Sequence, residues 1–286
     1  MVQMNREGTK FEKKFQFEHK YPATKIMWNP EPSPSTDLLV TSGETLQVWE
    51  VENNQRAIRK ANLVGVSAGL TKTKKELTGP LTSFDWSSKD PHIVITCSID
   101  TTCSIWDIQK QVINRTVIAH DREVYDVSFS PDRQIFATVG ADGSARQFDI
   151  RDLSKSDILF ETHNSAILRV AWNKNDAHHV ALICMDDNSV TLLDTRKQSS
   201  PCARLEFHRA PVNHLAWAPH SAYHICSVSD DRQALIWDIK KMQPEIKAPL
   251  LEYSAEGEIS NLSWGIQESD WIALCFGPRL QVLRVY

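Results

Sequence analysis

The chain has 286 residues, of which 41% are hydrophobic and 24% are charged, so it can bury a sizeable core. Its 32 Lys and Arg against 36 Asp and Glu give a net charge of −4, which argues against a protein that mainly neutralises phosphate or coats an anionic membrane. No apolar run is long enough for a transmembrane helix, the first residues lack an apolar signal segment, and the six cysteines include no C-x-x-C pair. These features predict a soluble, globular protein of a reducing intracellular compartment.

Two sets of anchor residues indicate internal repeats. The first set closes a strand-like segment, often as an aromatic residue followed by an acid, and its members are 42 to 57 residues apart: Trp49, Trp106, Phe148, Leu193, Trp237 and Leu283. The second set lies earlier in each repeat, at intervals of 43 to 58 residues: Trp28, Trp86, Phe129, Trp172, Trp217 and Trp264. The intervals within the two sets vary in the same way from one repeat to the next, which indicates six repeats.

Each repeat consists of short apolar or alternating segments separated by turn residues, without a helical stripe. The third repeat predicts strands over Val124–Phe129, Ile135–Val139, Ala145–Ile150 and Ile158–Glu161. Four short antiparallel strands at this period predict the blade of a β-propeller. A β-sandwich is the alternative for many short strands, but it does not require self-similarity. We therefore expect an all-β propeller.

The repeats resemble those of WD-repeat (WD40) propellers. A His stands nine residues before the earlier anchor, and an Asp six residues before the later one, in four repeats each: His19, His120, His163, His208, Asp100, Asp142, Asp187 and Asp231. The resemblance implies a buried His–Ser–Asp–Trp relay, whose hydroxyl position is filled by Ser98 and Ser229. The relay is complete only in repeat five, as His208, Ser229, Asp231 and Trp237.

Several patterns that could indicate an enzyme have structural interpretations. A catalytic triad occurs once and opens onto a pocket, whereas the His, Ser and Asp recur in one register. Residues 65–69 match G-x-S-x-G, but no amphipathic helix follows them. His179 and His224 each lie seven residues after a first-strand Trp, which indicates a repeat position rather than a metal site. We predict no enzyme, cofactor or metal; the alternative is a propeller hydrolase with an active site in its channel.

Longer strings resemble one branch of the family, that of transparent testa glabra and a DDB- and cullin-4-associated factor. They include Pro80–Trp86, Ser98–Trp106, Val139–Ser144 and Trp217–Ile239, and the similarity extends over nearly the whole chain. The resemblance implies a non-catalytic scaffold in nucleus and cytoplasm. Its expected partners are dual-specificity tyrosine-regulated kinases, MYB and basic helix-loop-helix factors, or the adaptor of a cullin-4 ubiquitin ligase. We expect a monomer that binds neither nucleic acid nor membrane directly.

Attachment to the cullin-4 adaptor is tied, in the family, to a W-D-x-R box. The chain departs from this box, because Phe148 and Leu193 replace the Trp before Asp149-Ile150-Arg151 and Asp194-Thr195-Arg196. Arg151 and Arg196 are the candidate contacts, and the alternative for Arg151 is a solvated charge at the end of a strand.

Propellers of this family usually bind clients on their narrow top face. Transferred by register, the expected partner-binding positions are Thr24, Thr82, Ile99, Glu123, Tyr125, Leu168, Asp186, Asn213, Asp230 and Glu258. Four are acids and none is Lys or Arg. We therefore expect a negative surface with Tyr125 and Leu168 as apolar anchors, suited to short basic and apolar segments.

The predicted organisation is a single domain over 1–286, with repeats at about 10–52, 77–110, 118–152, 161–197, 206–241 and 253–286 and an extended loop over 53–76. The resembling family has seven blades, so one blade is unaccounted for. Two hypotheses follow: the first blade is missing through truncation, which we favour, or Lys10–Phe17 pairs with the three C-terminal strands and closes a six-bladed ring.

Overall fold

The computed structural model describes residues 1–4, 10–30, 37–52, 55–64, 79–131, 134–197, 200–240, 245–246 and 248–285. Within these residues every regular element is a β-strand, and none is a helix able to cross a membrane. The chain divides into two compact units, Met1–Ile118 and Ala119–Tyr286. The prediction of one domain over 1–286 stays a prediction.

The first compact unit contains a short hairpin and two four-stranded antiparallel sheets. The hairpin pairs β1 (Val2–Met4) with β2 (Phe11–Lys13). Blade 1 comprises β3 (Lys25–Trp28), β4 (Asp37–Ser42), β5 (Leu46–Glu52) and β6 (Arg56–Leu63) in sequence order. Blade 2 comprises β7 (Leu81–Trp86), β8 (Ile93–Ser98), β9 (Thr102–Asp107) and β10 (Val112–Ile118).

The second compact unit contains four sheets, blades 3 to 6. Blade 3 comprises β11 (Val124–Phe129), β12 (Ile135–Gly140), β13 (Ser144–Asp149) and β14 (Asp152–Glu161). Blade 4 comprises β15 (Ile167–Trp172), β16 (His179–Cys184), β17 (Ser189–Asp194) and β18 (Pro201–Glu206). Blade 5 comprises β19 (Val212–Trp217), β20 (His224–Ser229) and β21 (Gln233–Asp238); β22 (Glu245–Ile246) then pairs in parallel with β18, and β23 (Leu251–Ser254) is the outer strand of blade 5. Blade 6 comprises β24 (Ile259–Trp264), β25 (Trp271–Phe276) and β26 (Arg279–Arg284).

Apolar layers between consecutive sheets hold each compact unit together. In the first unit, Phe84 and Trp86 of β7 pack on Val40 and Leu46 of blade 1. The same arrangement recurs in the second unit between blades 3 and 4, 4 and 5, and 5 and 6. Because their two faces are covered, the second strands of blades 2 to 5 are buried at five of six positions.

Side chains of one sheet also bond to the backbone edge of the next. The amide of Val170 in β15 donates to Asp126 Oδ2 at 3.1 Å, and the amide of Trp172 donates to Ser128 Oγ at 3.1 Å. Asp126 and Ser128 are themselves buried in β11. A buried amide without an acceptor would cost free energy. Asp126 and Ser128 therefore stabilise the contact by accepting the amides on the unpaired edge of β15.

The six sheets confirm the predicted all-β propeller fold. The expected loop over 53–76 is wrong in part, because Arg56–Leu63 forms the outer strand of blade 1 and pairs with β5 over its whole length. The outer strand of each of the first four blades follows its third strand directly in sequence. The sequence analysis did not predict this strand in blade 1. The expected outer strand over Lys10–Phe17 is instead a hairpin strand, Phe11–Lys13, paired with Val2–Met4. The G-x-S-x-G segment at 65–69 lies outside the described residues.

Candidate functional site

The first strand of every blade from 2 to 6 carries a β-bulge at its second residue. The register of the pairing with the second strand shifts there, and the unpaired residues are Thr82, Tyr125, Leu168, Asn213 and Ser260. A bulge redirects the side chain of the extra residue. Four of these five residues are among the predicted partner-binding positions, and the bulge was not predicted.

In blades 2 to 5, a backbone hydrogen bond joins the turn between the second and third strands to the segment before the first strand. The amide of Ala141 donates to the Glu123 carbonyl at 2.8 Å, and the amide of Asp230 donates to the Pro211 carbonyl at 3.2 Å. In blade 3 the contact is so close that a Cβ at Gly140 would lie 2.7 Å from the Glu123 carbonyl oxygen. The turn and the bulge therefore lie at the same end of the sheet.

Seven of the ten predicted partner-binding residues lie in the second compact unit. Asp186 and Glu258 are exposed, whereas Glu123, Tyr125, Leu168, Asn213 and Asp230 are half-buried. The structure brings two of them into contact, because Asn213 Nδ2 donates to Asp230 Oδ1 at 2.6 Å and to the Ile259 carbonyl of the next blade at 2.9 Å.

The other three predicted residues lie in the first compact unit. Ile99 is exposed in the turn of blade 2, and Thr24 is exposed just before β3. The hydroxyl of Thr24 donates to the Leu81 carbonyl at 3.1 Å. Thr82 is half-buried, with its hydroxyl 3.3 Å from Cys97 Sγ.

The turn of blade 4 differs from the other turns. In blades 2, 3 and 5 the residue after the turn Asp has a positive φ, namely Thr101, Gly143 and Arg232, whereas in blade 4 it is Asp186 that has a φ of 57°. This turn contains one more residue, because Cys184 ends β16 and Ser189 begins β17. Consequently Met185, not Asp186, donates its amide to the preceding segment, at the Ala166 carbonyl.

Sequence analysis overlooked Met185, whose side chain is 40% exposed. A cavity of about 320 Å³ lies beside this turn, lined by Phe160, Thr162, Met185, Asp186 and Arg204 among others. Arg204 forms an ion pair with Asp187 at 3.0 Å, whereas Asp186 forms none with any described residue. The cavity thus combines apolar surface with an uncompensated carboxylate.

The expected surface without basic residues needs a correction, because Arg232 is exposed in the turn of blade 5 and Arg169 follows the bulge of blade 4. Arg169 follows Leu168 directly, is half-buried and forms no ion pair within the described part of the chain. Its register position was not among those transferred from the family. Glu123 also forms an ion pair with Arg122 at 3.8 Å, so the acids that remain for a basic client are Asp186, Asp230 and Glu258.

The buried relay of blade 5 uses a different hydroxyl from the one predicted. Trp237 Nε1 donates to Ser227 Oγ at 2.9 Å, and Ser227 Oγ lies 2.8 Å from His208 Nε2. The other ring nitrogen, Nδ1, lies 2.8 Å from Asp231 Oδ2. Ser229 instead donates to the Ala210 carbonyl at 2.9 Å and accepts the Asp231 amide. The prediction that Ser229 links the ring to the indole is wrong, because Ser227 lies nearer Trp237 on the same face of the strand.

Burial keeps the His208 ring neutral, since desolvation lowers its pKa more than Asp231 raises it. A neutral ring that donates from Nδ1 to Asp231 must accept at Nε2, so the Ser227 hydroxyl donates there and accepts from Trp237. The pKa of Asp231 is also lowered: its burial is outweighed by bonds from the amides of Arg209 and Gln233 and from the ring.

Partial relays recur in other blades. His19 Nε2 and Trp49 Nε1 both contact Thr41 Oγ1 in blade 1, and Trp106 Nε1 donates to Thr96 Oγ1 in blade 2. In blade 3, His120 Nε2 lies 2.9 Å from Thr138 Oγ1 and Nδ1 lies 3.0 Å from Asp142. The shared hydroxyl register and the complete burial of Ser227 are typical of a structural network rather than of a triad open to substrate.

The other histidines considered as ligands bond to their own loops. His179 Nδ1 lies 2.7 Å from Asp176 Oδ2, and His224 Nδ1 lies 2.8 Å from Ser221 Oγ. In each case the partner stands three residues earlier, which fits the repeat interpretation. No group of metal-ligating side chains occurs among the described residues.

The two candidate adaptor contacts are exposed and have the same geometry. Arg151 Nε donates to Asp149 Oδ1 at 3.0 Å, and Arg196 Nε donates to Asp194 Oδ1 at 2.9 Å; a second nitrogen bonds the other oxygen in both. Hydrogen bonding to Arg196 lowers the pKa of Asp194 to about 2. Each guanidinium is thus held in a fixed direction at the end of a third strand.

Antiparallel blades, hairpin turns and buried His–hydroxyl–Asp–Trp networks define a WD-repeat β-propeller. The family described as WD domain, G-beta repeat matches residues 71–107, 111–149 and 199–238. Over 287 aligned residues the chain is 47% identical to the DDB1- and CUL4-associated factor 7 homolog of Dictyostelium discoideum, covering 100% of this chain and 86% of the relative. The chain belongs to this family of WD-repeat proteins.

Two further relatives are more distant. An uncharacterised WD repeat-containing protein of Schizosaccharomyces pombe is 29% identical, over 93% of this chain and 75% of its own length. The guanine nucleotide-binding protein subunit beta-1 of Nicotiana tabacum is 29% identical over 46% of this chain. Fold and family together support a non-catalytic scaffold.

Proposed function

We propose that the chain is an adaptor that binds short basic and apolar segments of client proteins at the bulge-and-turn end of blades 3 to 6. The observation that carries the proposal is the bulge at Tyr125, Leu168 and Asn213, which directs one side chain per blade to the end where the turns lie. A rigid row of such positions can hold an extended segment without reorganising the backbone.

The chemistry of this end favours basic clients. Tyr125 and Leu168 are half-buried, so each offers apolar surface on a side chain whose conformation is already restricted. Asp186 and Glu258 are exposed, and the cavity beside Met185 is lined by Asp186 as well as by Phe160. A Lys or Arg side chain fits such a site, with its alkyl part on Phe160 and Met185 and its charge on Asp186.

Partner classes follow from the family. We propose that the clients are dual-specificity tyrosine-regulated kinases or transcription regulators of the MYB and basic helix-loop-helix type, in nucleus and cytoplasm. The Dictyostelium relative is named for association with DDB1 and CUL4. We extend this role to the present chain through the paired guanidinium groups of Arg151 and Arg196.

Affinity purification of the tagged chain from its own cells, followed by mass spectrometry, tests the proposal. A Tyr125→Ala, Asp230→Lys variant should lose most client proteins, because an apolar anchor is removed and a charge is reversed. The matched control is Tyr223→Ala, Asp238→Lys, which makes the same changes at exposed residues outside the bulge-and-turn end. The control should retain the clients.

Equal recovery of clients by both folded variants would show that binding occurs elsewhere. In the same purification, an Arg151→Ala, Arg196→Ala variant should lose cullin-4 components and keep the kinases or transcription factors. Because both arginines are exposed, their removal should leave the fold intact. Retention of the ligase components would rule out these arginines as the adaptor contact.

A further inference from the structure

The relay histidine of blade 4 is displaced from the position that it occupies in blades 3 and 5. His120 and His208 are buried in those blades, and Nδ1 of each ring contacts the Asp of its turn, at 3.0 Å and 2.8 Å. The residue of the same register in blade 4, His163, is exposed and forms no hydrogen bond with any described residue. The cavity beside Met185 is lined by Thr162, which precedes this histidine, and by the turn Asp of blade 4.

The sequence of blade 4 explains why this ring is exposed. In blade 5 the ring of His208 lies 2.8 Å from the Ser227 hydroxyl, which also accepts from Trp237. The equivalent residues of blade 4 are Leu182 and Leu193, and both are buried. A buried imidazole there would keep one ring nitrogen without a partner, which costs free energy. With the histidine outside, the space beside the turn stays open.

Blade 3 shows how a guanidinium fills the space beside a turn Asp. Arg146 of β13 donates to the Ala119 carbonyl at 3.2 Å and to Asp142 Oδ2 at 3.3 Å. Its side chain is only 21% exposed. The residue of the same register in blade 4 is Thr191, which lines the cavity. Because threonine is much shorter than arginine, blade 4 leaves open a volume that blade 3 fills with its own side chain.

The charges around the cavity leave one carboxylate for a ligand. Arg204 Nη2 lies 3.0 Å from Asp187 Oδ2, and its Nε lies 3.5 Å from Glu206 Oε1, so its charge is balanced within blade 4. Asp186 is exposed and forms no ion pair with any described residue. Phe160, from β14 of blade 3, also lines the cavity. A guanidinium can use both groups, because it stacks on aromatic rings and pairs with carboxylates.

We propose that this cavity binds one arginine side chain of a client and selects it over lysine; the inference rests on the proposed function and names the residue recognised at the bulge-and-turn end. Ligand cavities have volumes of about 300–1,000 Å³, so a cavity of about 320 Å³ suits a single side chain. The planar guanidinium can stack on Phe160 and donate to Asp186 at once. The ammonium of lysine is a point charge without a planar face.

Methyl NMR of the full chain tests the proposal, with N-acetyl-arginine N-methylamide as the probe. The chain has five methionines, and the signal of Met185 is identified by its loss in Met185→Leu. Because the Met185 side chain lines the cavity, its methyl signal should shift progressively and saturate as the arginine probe is added. N-acetyl-lysine N-methylamide at the same concentrations should shift the signal less.

Two variants remove the site in different ways. Asp186→Asn should weaken probe binding about tenfold, because a hydrogen bond to a charged group is lost. Asparagine tolerates the positive φ of this turn position, so the backbone should be kept. Thr191→Arg should abolish binding, since the new guanidinium would fill the cavity as Arg146 does in blade 3. The matched control, Glu258→Gln, removes an exposed acid outside the cavity and should bind the probe like the wild type.

A Met185 signal that does not move with the arginine probe would overturn the proposal, and so would equal shifts with the two probes. Thr191 is buried, so far-UV circular dichroism must verify that Thr191→Arg is folded. Unchanged binding in Asp186→Asn would overturn the proposal even if Thr191→Arg unfolds, because Asp186 is exposed. An equal loss of binding in Glu258→Gln would show that the net charge of the surface, not the cavity, attracts the probe.

Client purification distinguishes failure of the arginine site from failure of the proposed function. If the Tyr125→Ala, Asp230→Lys variant loses its clients while the probe leaves the wild type unchanged, the adaptor function stands and the arginine site is wrong. If the probe binds while that variant and its control recover the same clients, the cavity is an arginine site and the proposed client surface is wrong.

Discussion

Replacing Ser227 with alanine removes the hydroxyl that joins two buried groups of blade 5. Ser227, Trp237 and His208 are 0%, 0% and 3% exposed, so water cannot substitute for the lost oxygen. The indole nitrogen of Trp237 would keep a proton without an acceptor, and His208 Nε2 would keep a lone pair without a donor. Both losses leave desolvated polar groups unpaired.

The expected cost follows from these two groups. Each buried polar group without a partner costs about 1–3 kcal/mol, so the two groups left by Ser227→Ala should lower the unfolding free energy by about 2–6 kcal/mol. For a protein of this size the loss corresponds to a decrease of roughly 4–24 °C in melting temperature. Ser227→Thr keeps the hydroxyl, and threonine already occupies the equivalent position as Thr41, Thr96 and Thr138. It should therefore cost much less.

Urea unfolding followed by tryptophan fluorescence measures the difference, and the indole proton of Trp237 provides a local signal. In the wild type and in Ser227→Thr this proton should exchange slowly, whereas in Ser227→Ala it should shift and exchange faster. An alanine variant within about 0.5 kcal/mol of the wild type would refute the reasoning. Equal losses in the alanine and threonine variants would show that packing, not the hydroxyl, dominates.

Two further predictions concern pH and the contact between blades. Burial is the largest cause lowering the pKa of His120 and His208 from 6.5, so below about pH 6.5 the unfolded chain binds more protons and stability decreases until the folded-state pKa is reached. The urea midpoint should therefore be lower at about pH 5.5 than at about pH 7.5, and His208→Asn should reduce this difference; an unchanged difference would contradict it. Asp126→Ala leaves the Val170 amide unpaired and should cost about 1–3 kcal/mol in urea unfolding. Asp126→Asn keeps an acceptor oxygen and should cost less, so equal losses would count against the role of that bond.

The sequence predicted the fold correctly because its repeats are regular, but it could not locate irregularities within a repeat. The extra residue in the turn of blade 4 leaves the spacing from Asp187 to Leu193 unchanged, so register alone indicated Asp186 and missed Met185. The extra residue is visible only in the structure, in which β16 ends at Cys184 and β17 begins at Ser189. Bulges at Tyr125 and Leu168 likewise leave no mark in the spacing, since they depend on how two strands pair.

The hydroxyl of the relay shows a different limit. Ser227 and Ser229 lie on the same face of β20, because side chains on one face recur every second residue. The sequence alone does not show which of the two hydroxyls contacts the indole of Trp237. The choice depends on the partner strand, in which Trp237 pairs with Ile225 and so places its indole nearer Ser227 than Ser229. Two hydroxyls at alternate positions therefore define a candidate pair, and only the pairing register assigns their roles.

Equivalent positions of a repeat also differ in burial when their neighbours differ. Trp28 and Trp86 share a register and a residue type, yet Trp28 is 45% exposed and Trp86 is 2% exposed. The sequence records the interface for which Trp28 is suited, since an aromatic residue there contributes stability only when a sheet covers it. The two residues therefore differ in burial because blade 1 packs against Trp86. A residue's register in the repeat thus indicates what it can contact, and its burial shows whether a neighbouring sheet makes that contact.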